Sequence, residues 1–353
     1  MSALIAQQIV YWQRAHGRHH LPWQLKLEPY PVWLSEIMLQ QTQVATVIPY
    51  FQRFVQRWPT VMHLAQAPIE DVLAEWAGLG YYSRARYLHR CAQVVAFQHG
   101  GNFPSSAEQL VKLPGIGPST AASIASLCFQ ERVTLFDGNV QRVLARLWMF
   151  DGDLAQVSQQ NSLRQQAQTL SCDLPNAKDM PALTQGLMDL GATVCRVRQP
   201  MCGDCPLSSS CAALAHNQVH EFPKKSKTIK RKTFMWWLCM AFRDDGALWL
   251  ERRPAAGIWS GLQVPRLAEN KQEAQQWIQQ FRAQEELWPP AWTHVLTHRD
   301  LVLHPCVLKS AHTPENAAVG QWVMPQDWAQ AALPAPIRKW LLKFAVTHAG
   351  GPL

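Results

Sequence analysis

Apolar residues recur at helical spacing around 31–57, 69–77, 84–98, 107–112, 119–130, 139–148 and 182–195, and proline or glycine turns separate most of these stretches. Residues 1 to 216 therefore read as one mainly helical domain. From 217 to 232 the periodicity stops, and Lys224, Lys225, Lys227, Lys230, Arg231 and Lys232 make a basic connector. Beyond it the pattern changes to strands at 233–242 and 247–250 around Asp244-Asp245-Gly246, a hairpin signal. A helical stretch follows at 271–282, with later strands at 293–297 and 301–309. The expectation is a smaller α+β domain over 233–353, with no internal repeat.

Composition sharpens this picture. The chain has 353 residues, enough for two domains with a sizeable core. A net charge of +8 favours a polyanionic partner. No apolar run reaches membrane-spanning length. The stretch from Met1 to Tyr11 lacks the basic start and long apolar core of a secretory signal, so the cytoplasm is the expected compartment. Nine cysteines in such a chain argue against disulfides and for metal ligation.

Four of those cysteines, Cys195, Cys202, Cys205 and Cys211, are separated by six, two and five residues. A single compact loop of thiolates suits a four-cysteine iron–sulfur cluster. Zinc is the alternative, although zinc sites more often use two tight pairs far apart. The loop between the first two ligands carries Arg196 and Arg198, which a folded cluster would present to phosphates. Cys91, Cys128, Cys172, Cys239 and Cys306 are scattered and read as core or surface residues.

A second motif lies upstream. Leu113-Pro114-Gly115-Ile116-Gly117-Pro118-Ser119-Thr120-Ala121 places two glycines and a proline at a helix start. Gly115 and Gly117 allow unusual backbone conformations and close approaches. The free amides that follow can bind an anion. Taken alone, the turn is better explained as an ordinary helix hairpin, and its neighbours must decide. About twenty residues on, Val133-Thr134-Leu135-Phe136-Asp137-Gly138-Asn139 brings an acid after a mostly apolar run, where Asp137 also reads as a helix cap.

Together these features resemble the helix-hairpin-helix DNA glycosylase superfamily. Leu21-Pro22-Trp23, Pro29-Tyr30, the run Val32-Trp33-Leu34-Ser35-Glu36-Ile37-Met38-Leu39-Gln40-Gln41-Thr42-Gln43-Val44 and Gly78-Leu79-Gly80-Tyr81-Tyr82 are similar to its MutY branch, the adenine DNA glycosylases. The resemblance implies base excision repair of adenine mispaired with 8-oxoguanine or guanine, with the base flipped out of double-stranded DNA. It implies a [4Fe–4S] cluster on the cysteine quartet. It makes Glu36 the acid that protonates adenine and Asp137 the carboxylate that stabilises the sugar cation. The apolar neighbours of Glu36 fit the first role, since burial keeps a carboxyl protonated. Without the resemblance, Glu36 reads as a first-turn helix acid.

The resemblance also assigns Gln41 and Tyr81 as wedges in the duplex, Trp23 and Gln185 to the adenine pocket, and Asn139 to the neighbourhood of Asp137. Gln24 stands where some relatives carry arginine, and Gln141 where some carry lysine. Ser119 occupies the position of the lysine that cuts the strand in bifunctional relatives. A hydroxyl forms no Schiff base, so a monofunctional enzyme leaving an abasic site is expected. Replication or mismatch-repair proteins as partners, a monomer, no membrane contact and a bacterial, nucleoid-associated setting are further implications. Two rival readings are an endonuclease III-like lyase, which Ser119 opposes, and a non-enzymatic iron–sulfur protein, which leaves Glu36 and Asp137 without a purpose.

The C-terminal part, with Gly257-Ile258-Trp259-Ser260-Gly261-Leu262, resembles the Nudix-like domain that these enzymes use to read 8-oxoguanine. Gln272-Glu273-Ala274-Gln275-Gln276 lacks the acidic set that holds a Nudix hydrolase's metal, so nucleotide hydrolysis is not expected. Thr297 and His298, after Leu296, stand at the family's recognition loop.

Overall fold

The computed structural model describes residues 2–226, 231–254, 257–283, 285–296, 299–310, 312, 320–328 and 331–347. The chain forms two compact units, Met1–Ala67 with Tyr87–Lys227, and Pro68–Arg86 with Thr228–Leu353. Its helices are α1 (Ser2–His16), α2 (Pro29–Leu39), α3 (Val44–Arg57), α4 (Val61–Gln66), α5 (Ile69–Glu75), α6 (Tyr82–Gln98), α7 (Ala107–Leu110), α8 (Pro118–Phe129), α9 (Gly138–Leu147), α10 (Val157–Cys172), α11 (Met180–Asp189), α12 (Ala212–Ala215), α13 (Lys271–Phe281) and α14 (Ala335–Thr347).

In the first unit the periodic stretch 31–57 divides into α2 and α3. The break falls at Gln40–Gln43, where Gln41 takes a left-handed conformation with φ 58°. Proline in its first turn starts α2. Trp33, Leu34 and Met38 have no exposed surface. A helix apolar on so many sides has to lie inside the unit, and α2 packs on α3 and α8. A separate core gathers Ile9 of α1, Leu144 of α9, Leu163 and Leu170 of α10, and Leu187 of α11. Residues 182–195 are a helix that relaxes into a π-helical turn at Leu190–Val194.

The connector expected at 217–232 is shorter than its charges suggest. Residues up to 226 dock on the helical unit. Phe222 is buried beside Val219 and Ala213, the Leu154 amide donates to the Lys224 carbonyl at 2.9 Å, and Lys224 pairs with Asp151. One buried aromatic outweighs several solvated lysines in deciding where a segment packs.

The second unit is a mixed sheet. Its strands are β1 (Lys232–Phe242), β2 (Leu248–Arg252), β3 (Gln263–Val264), β4 (Arg266–Ala268), β5 (Glu285–Leu287), β6 (Trp292–Val295), β7 (Arg299–Lys309) and β8 (Gly320–Val323). The order β3-β2-β1-β7-β5 is joined by β4 on β1, β6 on β7 and β8 on β2. The pair β1–β7 is parallel, in register from Lys232↔Arg299 to Phe242↔Lys309, and every other pair is antiparallel. Alternation on β1 feeds two cores. Leu238, Met240 and Phe242 face Ile337 and Leu341 of α14, while Cys239 and Ala241 face Ala274 and Phe281 of α13. A strand buried on both faces explains the nearly unbroken apolar run 234–242.

Residues 68–86, read from the sequence as part of the helical domain, group with this second unit. The Tyr82 hydroxyl donates to the Leu333 carbonyl at 3.1 Å, Arg252 pairs with Glu70 at 2.8 Å, and the Arg86 guanidinium donates to Ser260 Oγ. Their partners lie 174 residues or more away in the chain, beyond the reach of a local pattern.

Candidate functional site

The site belongs to the helical unit. Residues 21–24, α2, α3, α8 and α11 converge on a cavity of about 380 Å³, lined by Arg18, Trp23, Gln24, Glu36, Gln185 and Met188 among others. Three residues singled out in the sequence, Trp23, Glu36 and Gln185, thus share one pocket. Trp23 is 6% exposed and packs edge-on against Phe51 at 5.4 Å. It is core and pocket wall at once.

Glu36 sits in the second half of α2, past the first turn. Its residual exposure opens into the cavity, so it is effectively desolvated. Burial raises its pKa from the ordinary carboxylate value to about 7. The fully buried Ser123 hydroxyl lies close enough to oppose that shift, though without the geometry of a formed hydrogen bond. The charge of Asp137 raises it further. Asp137 caps α9 by accepting from the Val140 amide at 2.8 Å. Burial raises its pKa too, against the Val140 and Asn139 amides and the Arg142 guanidinium, which favour the charged form. The two carboxyls therefore differ in kind. Glu36 has only one weak hydroxyl to support an anion, whereas Asp137 faces two amides and a cation.

Asn139 follows at the start of α9. Arg142 Nη2 donates to Asn139 Oδ1 at 2.9 Å and to the Gly191 carbonyl at 2.7 Å, while Nε donates to the Cys195 carbonyl at 2.9 Å. Gly191 must be small, because a Cβ there would stand 2.6 Å from Asn139 Cβ.

The cysteine quartet lines a second cavity of about 450 Å³ with Arg146, Leu147 and Leu190. The buried Arg146 donates to Cys195 Sγ at 3.3 Å and to the carbonyls of Arg196, Val197 and Phe222. Amides of Leu207, Ala213 and Leu214 approach the Cys205 and Cys211 sulfurs. Among the described residues, no group of three or more His, Cys, Asp or Glu is arranged to hold a metal ion. All four cysteines line the same pocket, and N–H donors that approach their sulfurs are of the kind that support thiolate ligands of a metal centre. Arg196 and Arg198 are both exposed on the loop.

In the hairpin, Gly115 has φ 76°, and a Cβ there would stand 2.6 Å from Tyr87 Cβ. Gly117 is different. It is the extended N-cap of α8, and among the described residues nothing lies within 4 Å of the place of its Cβ. Its side is open to whatever comes from outside. Ser119 lines a separate groove with Thr134 and Phe136, and its hydroxyl is buried without a partner among the described residues. Gln41 is exposed. Tyr81, in the second unit, is 43% exposed with φ 49° and carries Arg84 over its ring at 5.4 Å. Thr297 and His298 lie outside the described residues.

The sequence reading missed two residues that bear on Gln185: Arg18, which lines the pocket, and Asp189. Asp189 is 1% exposed. Its Oδ1 accepts from Arg18 Nε at 2.7 Å and from Gln185 Nε2 at 2.9 Å, and its Oδ2 accepts from the Arg18 amide at 3.0 Å. The i, i+4 spacing of Gln185 and Asp189 was a visible hint, but Arg18 lies about 170 residues upstream.

Comparison with known proteins defines the class. Residues 34–167 match the family profile of the HhH-GPD superfamily base excision DNA repair proteins, and residues 237–343 match the NUDIX domain. The fold of the helical part is shared with a thermostable thymine-DNA glycosylase, at TM-score 0.52 and 24% identity over 61% of this chain and 97% of that one. Similarity then narrows to one enzyme. The chain is 33% identical over 343 residues to the adenine DNA glycosylase of Buchnera aphidicola subsp. Baizongia pistaciae, covering 96% of this chain and 95% of the relative. It is 42% identical to the Homo sapiens adenine DNA glycosylase over 205 residues, 56% of this chain and 37% of that protein. The chain belongs to the adenine DNA glycosylase family. No helix among the described residues is long and apolar enough to cross a membrane.

Proposed function

We propose that this enzyme flips adenine out of a mispair with 8-oxoguanine or guanine, releases it in the 380 Å³ pocket, and leaves the strand intact with an abasic site. The observation that carries the reading is a buried carboxyl, its pKa raised to about 7 by desolvation, on the wall of a pocket shared with Trp23 and Gln185, near a second carboxyl held by amides. Glu36 protonates a ring nitrogen of adenine and makes it a leaving group. Asp137, ionised, stabilises the cation left on the sugar until water arrives. Trp23 packs along the base, and Gln24, whose amide N and O are both buried without a partner among the described residues, offers a donor and an acceptor to a base edge. An apolar pocket with an orphaned amide is costly when empty and complementary when filled.

Gly117 and the first amides of α8 take a backbone phosphate, which explains a glycine that the protein itself does not require. Gln41 and Tyr81 hold the duplex open. Both sit on left-handed backbone, the kind of local strain that clusters at functional sites. Ser119 supplies no amine. A duplex carrying adenine opposite 8-oxoguanine, incubated with the enzyme, is expected to break only after hot alkali. Strand cleavage without alkali that persists through purification and disappears in a Glu36→Gln variant contradicts the monofunctional reading.

The quartet holds a [4Fe–4S] cluster that ties the loop bearing Arg196 and Arg198 into shape for phosphate contact. The cluster supplies rigidity and charge there when bound. Purified enzyme is expected to contain about four irons per chain, as implied by four-cysteine ligation, and Cys205→Ser to lose most of them. Stoichiometric zinc in the native protein overturns this assignment.

The C-terminal unit reads 8-oxoguanine. Truncation near 230 is a poor test, because it also strips Tyr82 and Arg86 of their partners. Thr297→Ala and His298→Ala in the full chain are the cleaner probes. They are expected to reduce the preference for 8-oxoguanine over guanine opposite adenine more than they reduce adenine release. Equal loss on both substrates argues against lesion reading. The enzyme acts as a monomer on nucleoid DNA, alongside replication or mismatch-repair proteins.

A further inference from the structure

We infer that Arg18 and Asp189 are positioning residues that lock the Gln185 amide with its oxygen toward the base pocket, and that this lock selects a purine with a 6-amino group over one with a 6-oxo group. The inference rests on the reading that adenine occupies that pocket.

The argument starts from symmetry. A carboxamide has nearly the same shape when its N and O are exchanged, so an unrestrained glutamine can present either a donor or an acceptor. Two glutamines line the cavity. Gln24 is unrestrained, since neither its nitrogen nor its oxygen has a partner among the described residues. By rotating it can match adenine or a 6-oxopurine, and it cannot tell them apart.

Gln185 is held. It is 8% exposed, and its Nε2 lies 2.9 Å from Asp189 Oδ1. A carboxylate only accepts, so the reverse orientation would set two oxygens against each other at that distance. The orientation therefore depends on the Asp189 carboxylate staying in place. Arg18 holds it there. Its Nε and backbone amide bind the two carboxylate oxygens at 2.7 and 3.0 Å, and its charge compensates a carboxylate that is 1% exposed. With Nε2 committed, Oε1 is left without a partner among the described residues, on a residue that lines the pocket. It accepts from a 6-amino group and opposes a 6-oxo group. A site whose buried polar atom would be left facing the wrong partner discriminates strongly.

The test is single-turnover release of adenine and of hypoxanthine, each opposite 8-oxoguanine, by the full-length enzyme. Wild type is expected to favour adenine by at least about tenfold, the scale set by one mismatched polar contact. Asp189→Asn, which can donate as well as accept, is expected to lower that ratio severalfold, mostly by sparing or raising hypoxanthine release. Asp189→Glu is expected to recover part of the ratio. If Asp189→Asn does not fold, Arg18→Lys, at a partly exposed position, is expected to move the ratio in the same direction. Equal losses on both bases, with the ratio unchanged, overturn the inference and leave a purely structural ion pair. So does a wild type that releases both bases equally. Absence of any adenine release, by contrast, removes the proposed function itself.

Discussion

Glu36→Gln is expected to slow adenine release by about 10²–10⁴-fold, the usual worth of a positioned general acid, while binding of the mispaired duplex survives. The amide keeps the shape of the side chain and its polarity, so the pocket stays formed. It cannot give up a proton to the base. The same substitution should change stability in the opposite direction to activity. Burial raises the folded-state pKa of Glu36 above its ordinary value, to about 7. Such a group favours the folded state fully at low pH, below its unfolded pKa. That contribution is lost as pH rises toward and through 7, where a charge must be held in an apolar pocket. The glutamine variant carries no such charge. It is expected to match or exceed wild-type stability above pH 8, by up to about 3 kcal/mol, and to show no advantage near pH 4. Urea unfolding at the two pH values checks this. Full turnover by the variant refutes the acid role outright.

Asp137→Asn is expected to cost about 10²–10³-fold in the same single-turnover assay, the range for losing one aimed electrostatic contact in a closed site. This substitution separates two functions. Asparagine caps a helix about as well as aspartate, so the bond to the Val140 amide and the stability of α9 should be kept. Activity should fall while the thermal midpoint barely moves. Asp137→Ala should lose the cap as well, at a further ~1 kcal/mol. If Asp137→Asn retains full activity and Asp137→Ala loses it only in proportion to stability, Asp137 is a cap and no more. Two carboxyls in contact with each other's field share a titration. The amides and Arg142 around Asp137 favour its charged form against the burial that opposes it.

Much of this was legible in the residues. The hairpin, the acid after it and the cysteine spacing are local patterns, and each lies where a short stretch of chain determines the structure. Helices α2, α8 and α9 and strands β1 and β7 follow periodicity closely. Helices α1 and α10 do not show. In α10, Leu163, Ala167 and Leu170 carry the burial among many glutamines and serines, too sparse a stripe to stand out. Helix α14 was also missed, as were the short strands β3, β4, β5 and β8, whose two to four residues give no period to read. The tertiary grouping was less legible. Residues 68–86 fall inside the HhH-GPD match at 34–167, yet they pack with the second unit through Leu333, Ser260 and Arg252, contacts that no local pattern shows. In the pocket, Trp23, Glu36 and Gln185 were recoverable from motif. The carboxylate that orients Gln185 and the arginine that holds it were not, because their meaning depends on a distance that the sequence does not contain.

The most direct test of the account is the rate of adenine release in a single turnover, followed from pH 5 to pH 9 in wild type and Glu36→Gln. A protonated Glu36 as the working acid predicts a wild-type rate that falls with rising pH through about 7, approaching tenfold per pH unit, and a slow variant whose rate lacks that limb. A wild-type rate that stays level or climbs across this range, or the same alkaline fall persisting in Glu36→Gln, contradicts it.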